Sequence, residues 1–399
     1  MKLKTLVAAM AVGLGTFSAF AQSNSGPVKI GFITDMSSLY ADIDGPAGGE
    51  MIKWAAQDFG GKVLGRDIQV LTADHQNKAD VASSKAREWM DKENLSMLVG
   101  GTSSGTALAM SKVAAEKKRP FMVIGAGSAR LTNEDCSPYT IHYAYDTVAL
   151  AKVAGNALVK AGNKNWYFLT ADYAFGHSLE ADASTVVKAN GGTVVGAVRH
   201  PLNASDFSSF LLQAQSSKAQ ILGLANAGGD FTNAMKAAKE FGINKTMKIA
   251  GLLVFINDVH SLGLANTEGL QLADSWYWNQ DDASRAFARR FFDKYKRMPS
   301  SLQAADYSAT MTYLKAVKAV GSTDSDRVMA EMKKTGANDF YSKGKIRADG
   351  RMIHDMYLFE VKGAKDSTSP WDYYKTVAKV PGAEAFTTVA ESKCSLIKK

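Results

Sequence analysis

The chain has 399 residues, of which 46% are hydrophobic and 22% charged, and its formal net charge is +8. This composition is that of an ordinary globular protein with room for two cores of about 100–200 residues each, and it excludes a disordered chain, a coiled coil and a collagen-like repeat. No apolar run of about 18 residues follows the first segment, which excludes a multi-span membrane protein. The basic residues form no block or aromatic-basic ladder of the kind that binds nucleic acid.

Residues 1–21 have the pattern of a secretory signal peptide. Lys2 and Lys4 precede the apolar stretch Thr5–Phe20, and Ala19-Phe20-Ala21 places small residues at the −3 and −1 positions of a cleavage site. No Cys stands beside that site, so no lipid anchor is expected. We therefore predict that the mature protein begins near Gln22 and works outside the cytoplasm.

Export determines how the two cysteines are interpreted. Cys136 and Cys394 are an even count in an oxidising compartment, and neither lies in a C-x-x-C or His-rich context. One disulfide is predicted, closing a loop of about 258 residues and returning the C-terminal tail to the first third of the chain. The alternative is two unpaired buried thiols.

From Val28 onward, short apolar runs alternate with amphipathic segments. The first group of predicted elements is strand Val28–Ile33, helix Gly48–Phe59, strand Ile68–Thr72, helix Lys78–Asp91, strand Met97–Gly100, helix Thr106–Lys117 and strand Pro120–Ile124. The rhythm then restarts with helix Thr147–Ala161, strand Trp166–Leu169, helix His177–Ala189, strand Thr193–Val198, helix Asp206–Gln215, strand Gln220–Leu224, helix Phe231–Phe241 and strand Met247–Ala250. Strands separated by helices of ten or more residues predict right-handed βαβ units, hence an α/β fold with parallel sheets in two halves.

The last third of the chain is predicted to complete these halves. It contains a strand-like run, Leu270–Trp278, and long helices at Ala283–Tyr295 and Ala304–Val320, which do not make a self-contained third domain. No Pro/Gly/Ser linker separates the halves, so we expect them to share a cleft. Trp276, Tyr277 and Trp278 lie where the chain crosses back, and they either line that cleft or fill the hinge.

Candidate binding residues lie in turns that follow predicted strands, because ligands of open α/β sheets bind where helix N-termini expose their N–H groups. Strand Met97–Gly100 is followed by Gly101-Thr102-Ser103-Ser104-Gly105-Thr106, and the next strand by Gly125-Ala126-Gly127-Ser128-Ala129-Arg130. Glycine allows close approach, hydroxyls add donors and the helix dipole favours negative charge. The two turns predict a cradle for a small anion, most naturally a carboxylate. The alternative is that they are helix caps only.

Two turns of the second half face this cradle in the predicted arrangement. They read Leu169-Thr170-Ala171-Asp172-Tyr173-Ala174-Phe175-Gly176 and Leu224-Ala225-Asn226-Ala227-Gly228-Gly229-Asp230. Tyr173 and Phe175 supply an apolar wall and Asn226 a polar end to the pocket. The alternative for the two aromatic residues is an ordinary place on the surface.

Enzymatic signatures are weak. Gly101–Gly105 matches the G-x-S-x-G nucleophile elbow, and a triad of Ser103, Asp306 and His354 can be drawn, but no oxyanion segment precedes it. Phosphate-loop, dinucleotide and H-E-x-x-H motifs are absent from the sequence, and the histidines lack metal spacing. Asp74-His75 is either an acid/base pair or, more simply, a structural one. An exported serine hydrolase remains as an alternative, and no cofactor or metal is expected.

Several segments in order resemble one family. Lys29-Ile30-Gly31-Phe32, Ser37-Ser38-Leu39-Tyr40-Ala41-Asp42, Gly101-Thr102-Ser103-Ser104 and Asp172-Tyr173-Ala174-Phe175-Gly176 together resemble the type I periplasmic binding proteins, and in particular the leucine/isoleucine/valine-binding-like receptors of ABC importers. Cys136-Ser137-Pro138-Tyr139 with Cys394 resembles a subgroup that takes up aromatic or other organic acids.

The resemblance implies a non-enzymatic, monomeric solute receptor in the periplasm with two Rossmann-like lobes joined by three hinge crossovers. Its expected partners are a small carboxylate and an inner-membrane ABC permease, with no nucleic acid. By position, lobe 1 is 27–143 plus 277–347, lobe 2 is 144–276 plus 348–380, and the tail 381–399 returns to lobe 1 through the disulfide. The residues implied to bind ligand are Ile43, Thr102, Ser103, Ser104, Ala126, Gly127, Ser128, Tyr173, Phe175, Asn226, Ala227 and Gly228.

Departures from the amino-acid-binding members indicate the ligand. Those members carry an acidic residue after a lobe-two strand to pair the ligand ammonium, whereas Gly251–Phe255 contains none and the next acid is Asp258. A buried ammonium without a counter-charge costs several kcal/mol. Three other positions also differ from those members. Gly127 stands near the position where they usually have Thr, Phe175 where they have a pocket Tyr, and Ile43 where an aromatic residue often covers the ligand. The ligand is therefore predicted to be a carboxylate without an α-amine, such as an aromatic or keto acid. A branched-chain amino acid, and a role in signalling rather than import, are the alternatives.

Overall fold

The computed structural model describes residues 26–398, so the predicted signal peptide lies outside the described residues. The helices are α1 Gly45–Asp58, α2 Ala79–Lys92, α3 Ser104–Lys117, α4 Thr147–Leu150, α5 Asn156–Lys160, α6 Ala174–Ala189, α7 Ser208–Ser216, α8 Gly228–Glu240, α9 Ile256–Leu262, α10 Leu264–Thr267, α11 Asp282–Tyr295, α12 Ser301–Val320, α13 Ser325–Thr335 and α14 Gly382–Ala385. A π-helical turn, Ala151–Gly155, joins α4 to α5, and 3₁₀ turns lie at Ala129–Thr132 and Ile243–Lys245.

The strands are β1 Val28–Thr34, β2 Lys62–Val63, β3 Arg66–Asp74, β4 Met97–Gly100, β5 Phe121–Val123, β6 Thr140–His142, β7 Asn165–Ala171, β8 Thr193–His200, β9 Ile221–Ala225, β10 Lys248–Gly251, β11 Gln271–Asp274, β12 Ala337–Asn338, β13 Lys343–Ile346, β14 Met352–Ile353, β15 Met356–Val361 and β16 Tyr374–Val380. Every strand and helix predicted from the sequence is present, with bounds that differ by a few residues.

The first sheet has the order β2-β3-β1-β4-β5-β6 and is parallel except for β2 at its edge. After β1 the chain moves to β3 on one side and then to β4 on the other. The topological switch point, where the loops that follow neighbouring strands diverge, therefore lies between β1 and β4. The two Gly- and Ser-containing turns follow β4 and β5, which are paired neighbours as predicted.

The second sheet has the order β10-β9-β7-β8 and is parallel throughout. Its switch point lies between β7 and β9, the strands followed by Tyr173 and by Asn226. Apolar strands buried on both faces require helices on both sides, and the continuous burial of Ile221–Ala225 is typical of such a strand. The α/β fold class predicted from the sequence is confirmed.

The chain passes between the two sheets more than once. It leaves the first sheet after β6 and returns after β11, where Phe291 of α11 packs with Met51 and Trp54 of α1. It leaves again after β14 to form a further three-stranded sheet, in which β15 pairs antiparallel with both β11 and β16. The last third of the chain thus packs against earlier elements, and its antiparallel strands β12–β16 were not predicted.

The segments that cross after β6 and after β14 lie side by side. The buried guanidinium of Arg351 donates to the carbonyl oxygen of Tyr145 at 2.9 Å and lies 3.6 Å from the carboxylate of Asp146. His354 Nε2 lies 2.6 Å from the carbonyl oxygen of Ala144. These contacts tie one crossing segment to the other.

Two further observations complete the fold. Cys136 and Cys394 form the predicted disulfide, which holds the C-terminal tail beside the 3₁₀ turn that follows β5. Within residues 26–398, no helix has both the length and the apolar character needed to cross a membrane.

Candidate ligand-binding cleft

A small cavity of about 10 Å³ lies between the carboxyl ends of the two sheets. Both switch points open onto it, which is where ligands of doubly wound sheets bind. Its lining residues come from the loop after β1 and from the turns that follow six other strands. They are Tyr40, Ile43, Thr102, Gly125, Tyr145, Tyr173, Phe175, Ala227, Leu253 and Phe255. Five of these ten side chains are aromatic, and none is charged.

The cleft is closed in this structure by contacts between its two sides. The hydroxyl groups of Tyr40 and Tyr173 lie 2.5 Å apart, and the N–H of Gly229 donates to the carbonyl oxygen of Leu39 at 3.3 Å. Gly228 has a φ of +58°, and a Cβ there would come within 2.5 Å of the same Leu39 oxygen. Glycine at 228 therefore permits the close approach of the two backbones.

Phe175 reaches across the cleft to the turn after β5. A Cβ placed on Gly127 would come within 2.8 Å of the Phe175 ring and within 3.4 Å of the Tyr145 ring. Tyr145 in turn donates to the carbonyl oxygen of Gly125 at 2.7 Å. The Phe175 ring thus occupies the space that a side chain at position 127 would need.

A chain of buried hydroxyl and carboxyl groups supports the first side of the cleft. Thr102 Oγ1 lies 2.6 Å from Thr34 Oγ1, which donates to Asp44 Oδ2 at 2.6 Å. Thr102 Oγ1 also accepts the N–H of Asp35 at 3.2 Å. Asp44 faces Asp306, and burial raises the pKa of Asp44 to about 6, while burial and the facing Asp44 raise the pKa of Asp306 well above its usual range. The two carboxyl groups therefore share a proton near neutral pH.

Three helices begin at the cleft without a side-chain cap. The residues that precede α3, α6 and α8 are Ser103, Tyr173 and Ala227, each extended and none accepting a capping hydrogen bond from its helix. By contrast, Asp281, Ser300 and Asp324 cap α11, α12 and α13 with their side chains. Apart from the N–H of Gly229, which donates to Leu39, these N-termini leave N–H donors and positive partial charge at the cleft, which favours an anion there.

The acidic residues near the cleft have other roles. Asp258 accepts the N–H of Phe255 at 2.8 Å at the start of α9, and burial raises its pKa to about 8. Asp230 accepts the N–H of Asn203 at 3.2 Å, and burial raises its pKa to about 6. Neither carboxyl lines the cavity. The wall therefore offers no counter-charge to an ammonium group.

The predicted ligand-binding residues fall into two sets. Ile43, Thr102, Tyr173, Phe175 and Ala227 line the cavity. The others surround it and hold its turns together: Ser104 Oγ accepts the N–H of Ser128 at 3.0 Å, Ser128 Oγ lies 2.7 Å from Ser178 Oγ, and the carbonyl oxygen of Ala126 lies 2.6 Å from His142 Nε2. Asn226 is turned toward His200, at 3.1 Å, rather than to the cavity. Ser103 begins α3, and Gly127 and Gly228 make the close approaches described above.

Five further residues that line the cavity were not among the predicted ligand-binding residues: Tyr40, Gly125, Tyr145, Leu253 and Phe255. A signal existed for Tyr40, which belongs to the quoted Ser37–Asp42 segment, and for Leu253 and Phe255, which stand where an acid was sought. Tyr145 was missed because it follows β6, a strand of three residues with polar residues at both ends. Such a strand has no apolar run by which it could be predicted.

The triad drawn for a hydrolase is not assembled. Both ring nitrogens of His354 face carbonyl oxygens, of Ala144 at 2.6 Å and of Asp355 at 2.8 Å. The carboxyl of Asp306 is paired with Asp44 instead of a histidine. His75 likewise has structural contacts, with the hydroxyl of Thr106 at 3.2 Å and the N–H of Asn77 at 3.0 Å.

Sequence comparison decides the family. A sequence model described as "Periplasmic binding protein" matches residues 27–367. The chain belongs to the periplasmic binding protein family. The crystal structure of a periplasmic binding protein from Burkholderia mallei is 69% identical and superposes with a TM-score of 0.93, covering 93% of this chain and 99% of that one.

Other members of the periplasmic binding protein family are more distant. A branched-chain amino acid ABC transporter periplasmic ligand-binding protein from Burkholderia xenovorans is 39% identical, with a TM-score of 0.83 over 93% of this chain and 100% of that one. A Leu/Ile/Val-binding protein homolog from Brucella melitensis is 24% identical over 92% of this chain and 95% of its own. An ABC transporter solute-binding protein from R. palustris, solved with benzoate, shares the fold at 23% identity, with a TM-score of 0.81 over 93% and 100% of the two chains. The predicted resemblance to Leu/Ile/Val-binding-like receptors is confirmed.

Proposed function

We propose that this chain captures a small carboxylate with an aromatic or keto-acid body in the cleft and delivers it to an inner-membrane ABC permease. The observation that carries the proposal is that three uncapped helix N-termini begin at a cavity whose wall is aromatic and has no charged side chain. The N-termini stabilise the carboxylate, and aromatic rings suit a flat apolar body. Membership of the family supports the periplasmic location that the predicted signal peptide also indicates.

The absence of an acid from the lining favours a ligand without an α-amine. An α-amino acid brings an ammonium group, and burying it without a counter-charge costs several kcal/mol. The neighbour described as a branched-chain amino acid transporter component makes such an amino acid the second candidate. The two candidates differ in this one charged group, so a direct comparison of their affinities separates them.

Binding in this scheme is coupled to closure. The two-lobe division predicted from the sequence, with Thr102 and Ser103 on lobe 1 and Tyr173 and Phe175 on lobe 2, is part of the proposal. A ligand that contacts both lobes stabilises the closed form, which is then the form the permease recognises. A benzoate-sized ligand exceeds the cavity of about 10 Å³, so its entry requires Tyr173 and Phe175 to move away from the first side.

The experiment is a thermal-shift and calorimetric comparison on the mature protein. Benzoate and phenylpyruvate are expected to raise the melting temperature, whereas benzamide, which has the same ring without the charge, and leucine are not. Strong stabilisation by leucine or valine together with none by the aromatic acids would contradict the ligand assignment. Mass spectrometry of any small molecule that copurifies provides an independent identification.

A variant pair tests the site. Ser103→Ala removes a hydroxyl at the start of α3 and is expected to weaken benzoate binding about tenfold, corresponding to one charge-assisted hydrogen bond. Ser84→Ala removes a hydroxyl from the exposed face of α2 and is expected to change nothing. Ester hydrolysis by the wild type that is lost in Ser103→Ala would instead support the hydrolase alternative.

A further inference from the structure

A larger groove lies outside the cleft, between the same two sides of the molecule. We name it the α6 groove because one face of α6, from Ala174 to Val186, forms its floor. Its walls come from the 3₁₀ turn after β5, the start of α4 and the C-terminal tail held by the disulfide. Its volume is about 570 Å³, within the range of sites that bind small molecules.

The α6 groove adjoins the cleft and exists only when the two sides are together. Ser178 lines the groove, and its hydroxyl lies 2.7 Å from that of Ser128, beside Gly127 of the cleft. Phe175, one turn earlier on α6, lines the cleft cavity instead. Since α6 follows β7 of the second sheet and the 3₁₀ turn follows β5 of the first, separating the sheets removes one wall from the floor.

The basic side chains at the rim of the α6 groove already have acidic partners. The nitrogen–oxygen distances are 2.9 Å for Lys393–Glu134, 3.4 Å for Lys152–Glu391, 2.6 Å for Arg130–Asp135 and 2.8 Å for His177–Asp172. The rim therefore offers no unpaired cation that would recognise an anion.

Asp182, on the floor, differs from these groups. Its carboxyl is partly buried, its nearby hydrogen-bond partner is the hydroxyl of Thr147, and no ion pair within residues 26–398 includes it. Burial raises the pKa of Asp182 to about 6. The neighbouring acids Asp146 and Glu134 also raise this pKa, whereas Lys393 lowers it. At neutral pH the floor thus holds a poorly solvated negative charge, which an added cation stabilises.

We propose that the α6 groove is a second ligand site, which takes a small primary amine whose ammonium group pairs with Asp182. The remaining body of the amine lies along Val148, Ala181 and Val186, which also line the groove. Because the groove needs both sides of the molecule, an occupant stabilises the closed form and increases affinity at the cleft. That last coupling rests on the proposed function, whereas amine binding itself does not.

Calorimetric titration of the mature protein with butylamine and with putrescine, at constant ionic strength, tests the site. Saturable binding is expected in the wild type and in Glu240→Gln, which removes the same charge from the exposed end of α8. In Asp182→Asn, which keeps the shape and the acceptor for Thr147, affinity is expected to fall at least tenfold. Asp182→Ala provides a second variant, and melting curves verify that both are folded.

Three results would overturn the proposal. They are the absence of saturable heat with both amines, equal affinity in Asp182→Asn and wild type, and competition of the amine with benzoate, which would place it in the cleft. A higher affinity for benzoate in the presence of the amine supports the coupling. If benzoate does not bind at all, the proposed function is contradicted, but the amine titrations still test the second site because they do not depend on benzoate.

Discussion

The phenol hydroxyls of Tyr40 and Tyr173 lie 2.5 Å apart across the cleft. Tyr40 follows β1 of the first sheet and Tyr173 follows β7 of the second, so this hydrogen bond forms only when the cleft is closed. Tyr40 is 3% exposed, and its hydroxyl has little access to water once its partner is removed.

Tyr173→Phe is therefore expected to open the ligand-free protein. Leaving a buried hydroxyl unpaired costs about 1–3 kcal/mol, which shifts the closed-to-open ratio by about 5- to 150-fold. Small-angle scattering should show a larger radius of gyration. Tyr167→Phe makes the same change on β7, away from the cleft lining, and should leave the radius unchanged; identical behaviour of both variants would show that the bond does not hold the cleft shut.

Gly127→Ala is expected to weaken ligand binding by about tenfold or more. The added Cβ would lie 2.8 Å from the Phe175 ring, closer than van der Waals contact allows, so the closed form loses stability. Calorimetry with benzoate measures the effect. A second change, Phe175→Leu, shortens the opposing side chain and should restore much of the affinity.

Gly105→Ala is the matched control for this prediction. Its Cβ would meet nothing nearer than Ser103 Oγ at 4.0 Å, although it lies in the neighbouring turn. Equal losses in Gly105→Ala and Gly127→Ala would attribute the effect to backbone stiffness instead of contact with Phe175.

The Asp44–Asp306 pair predicts that stability falls as pH rises. Both pKa values are raised on folding, so the folded protein retains protons that the unfolded chain has released above its ordinary aspartate pKa of about 4. The free energy of unfolding then decreases with pH from about 4 upward through the raised values, by as much as about 1.4 kcal/mol per pH unit for each retained proton.

Asp306→Asn isolates this contribution from those of other groups. The amide donates to Asp44 without titrating, so the stability difference between variant and wild type should move in favour of the variant between pH 5 and 8. Urea unfolding at each pH measures it. Parallel stability curves would mean that the pair does not retain a proton.

Loss of the disulfide is expected to destabilise the protein. Cys136 and Cys394 are 258 residues apart in sequence, and the double variant Cys136→Ser, Cys394→Ser should lose about 2–5 kcal/mol in free energy of unfolding. Reductant should lower the urea midpoint of the wild type toward that of the variant and leave the variant unaffected. An unchanged urea midpoint in the variant would show that contacts besides the disulfide, such as the ion pair of Lys393 with Glu134, suffice to hold the tail.

The alternation of strands and helices could be predicted from the amino-acid sequence, because apolar strand runs and helical spacing are local properties that burial imposes on each segment. The sequence also located the turns after β4, β5, β7 and β9, since these follow directly from the strand ends. The short strand β6, with polar residues at both ends, was not predicted, because its strand conformation depends on pairing with β5.

Which side chains meet in the cleft depends on how the two sheets pack together. Tyr145 and Phe255 come from distant turns, after β6 and β10, and their rings lie 6.2 Å apart because the carboxyl ends of the two sheets face each other. The structure also showed that Asp258 caps its own helix and that Asn226 turns to His200, choices that depend on neighbours brought together by folding. Local pattern sets the elements, whereas the contacts between them depend on residues that are far apart in the chain.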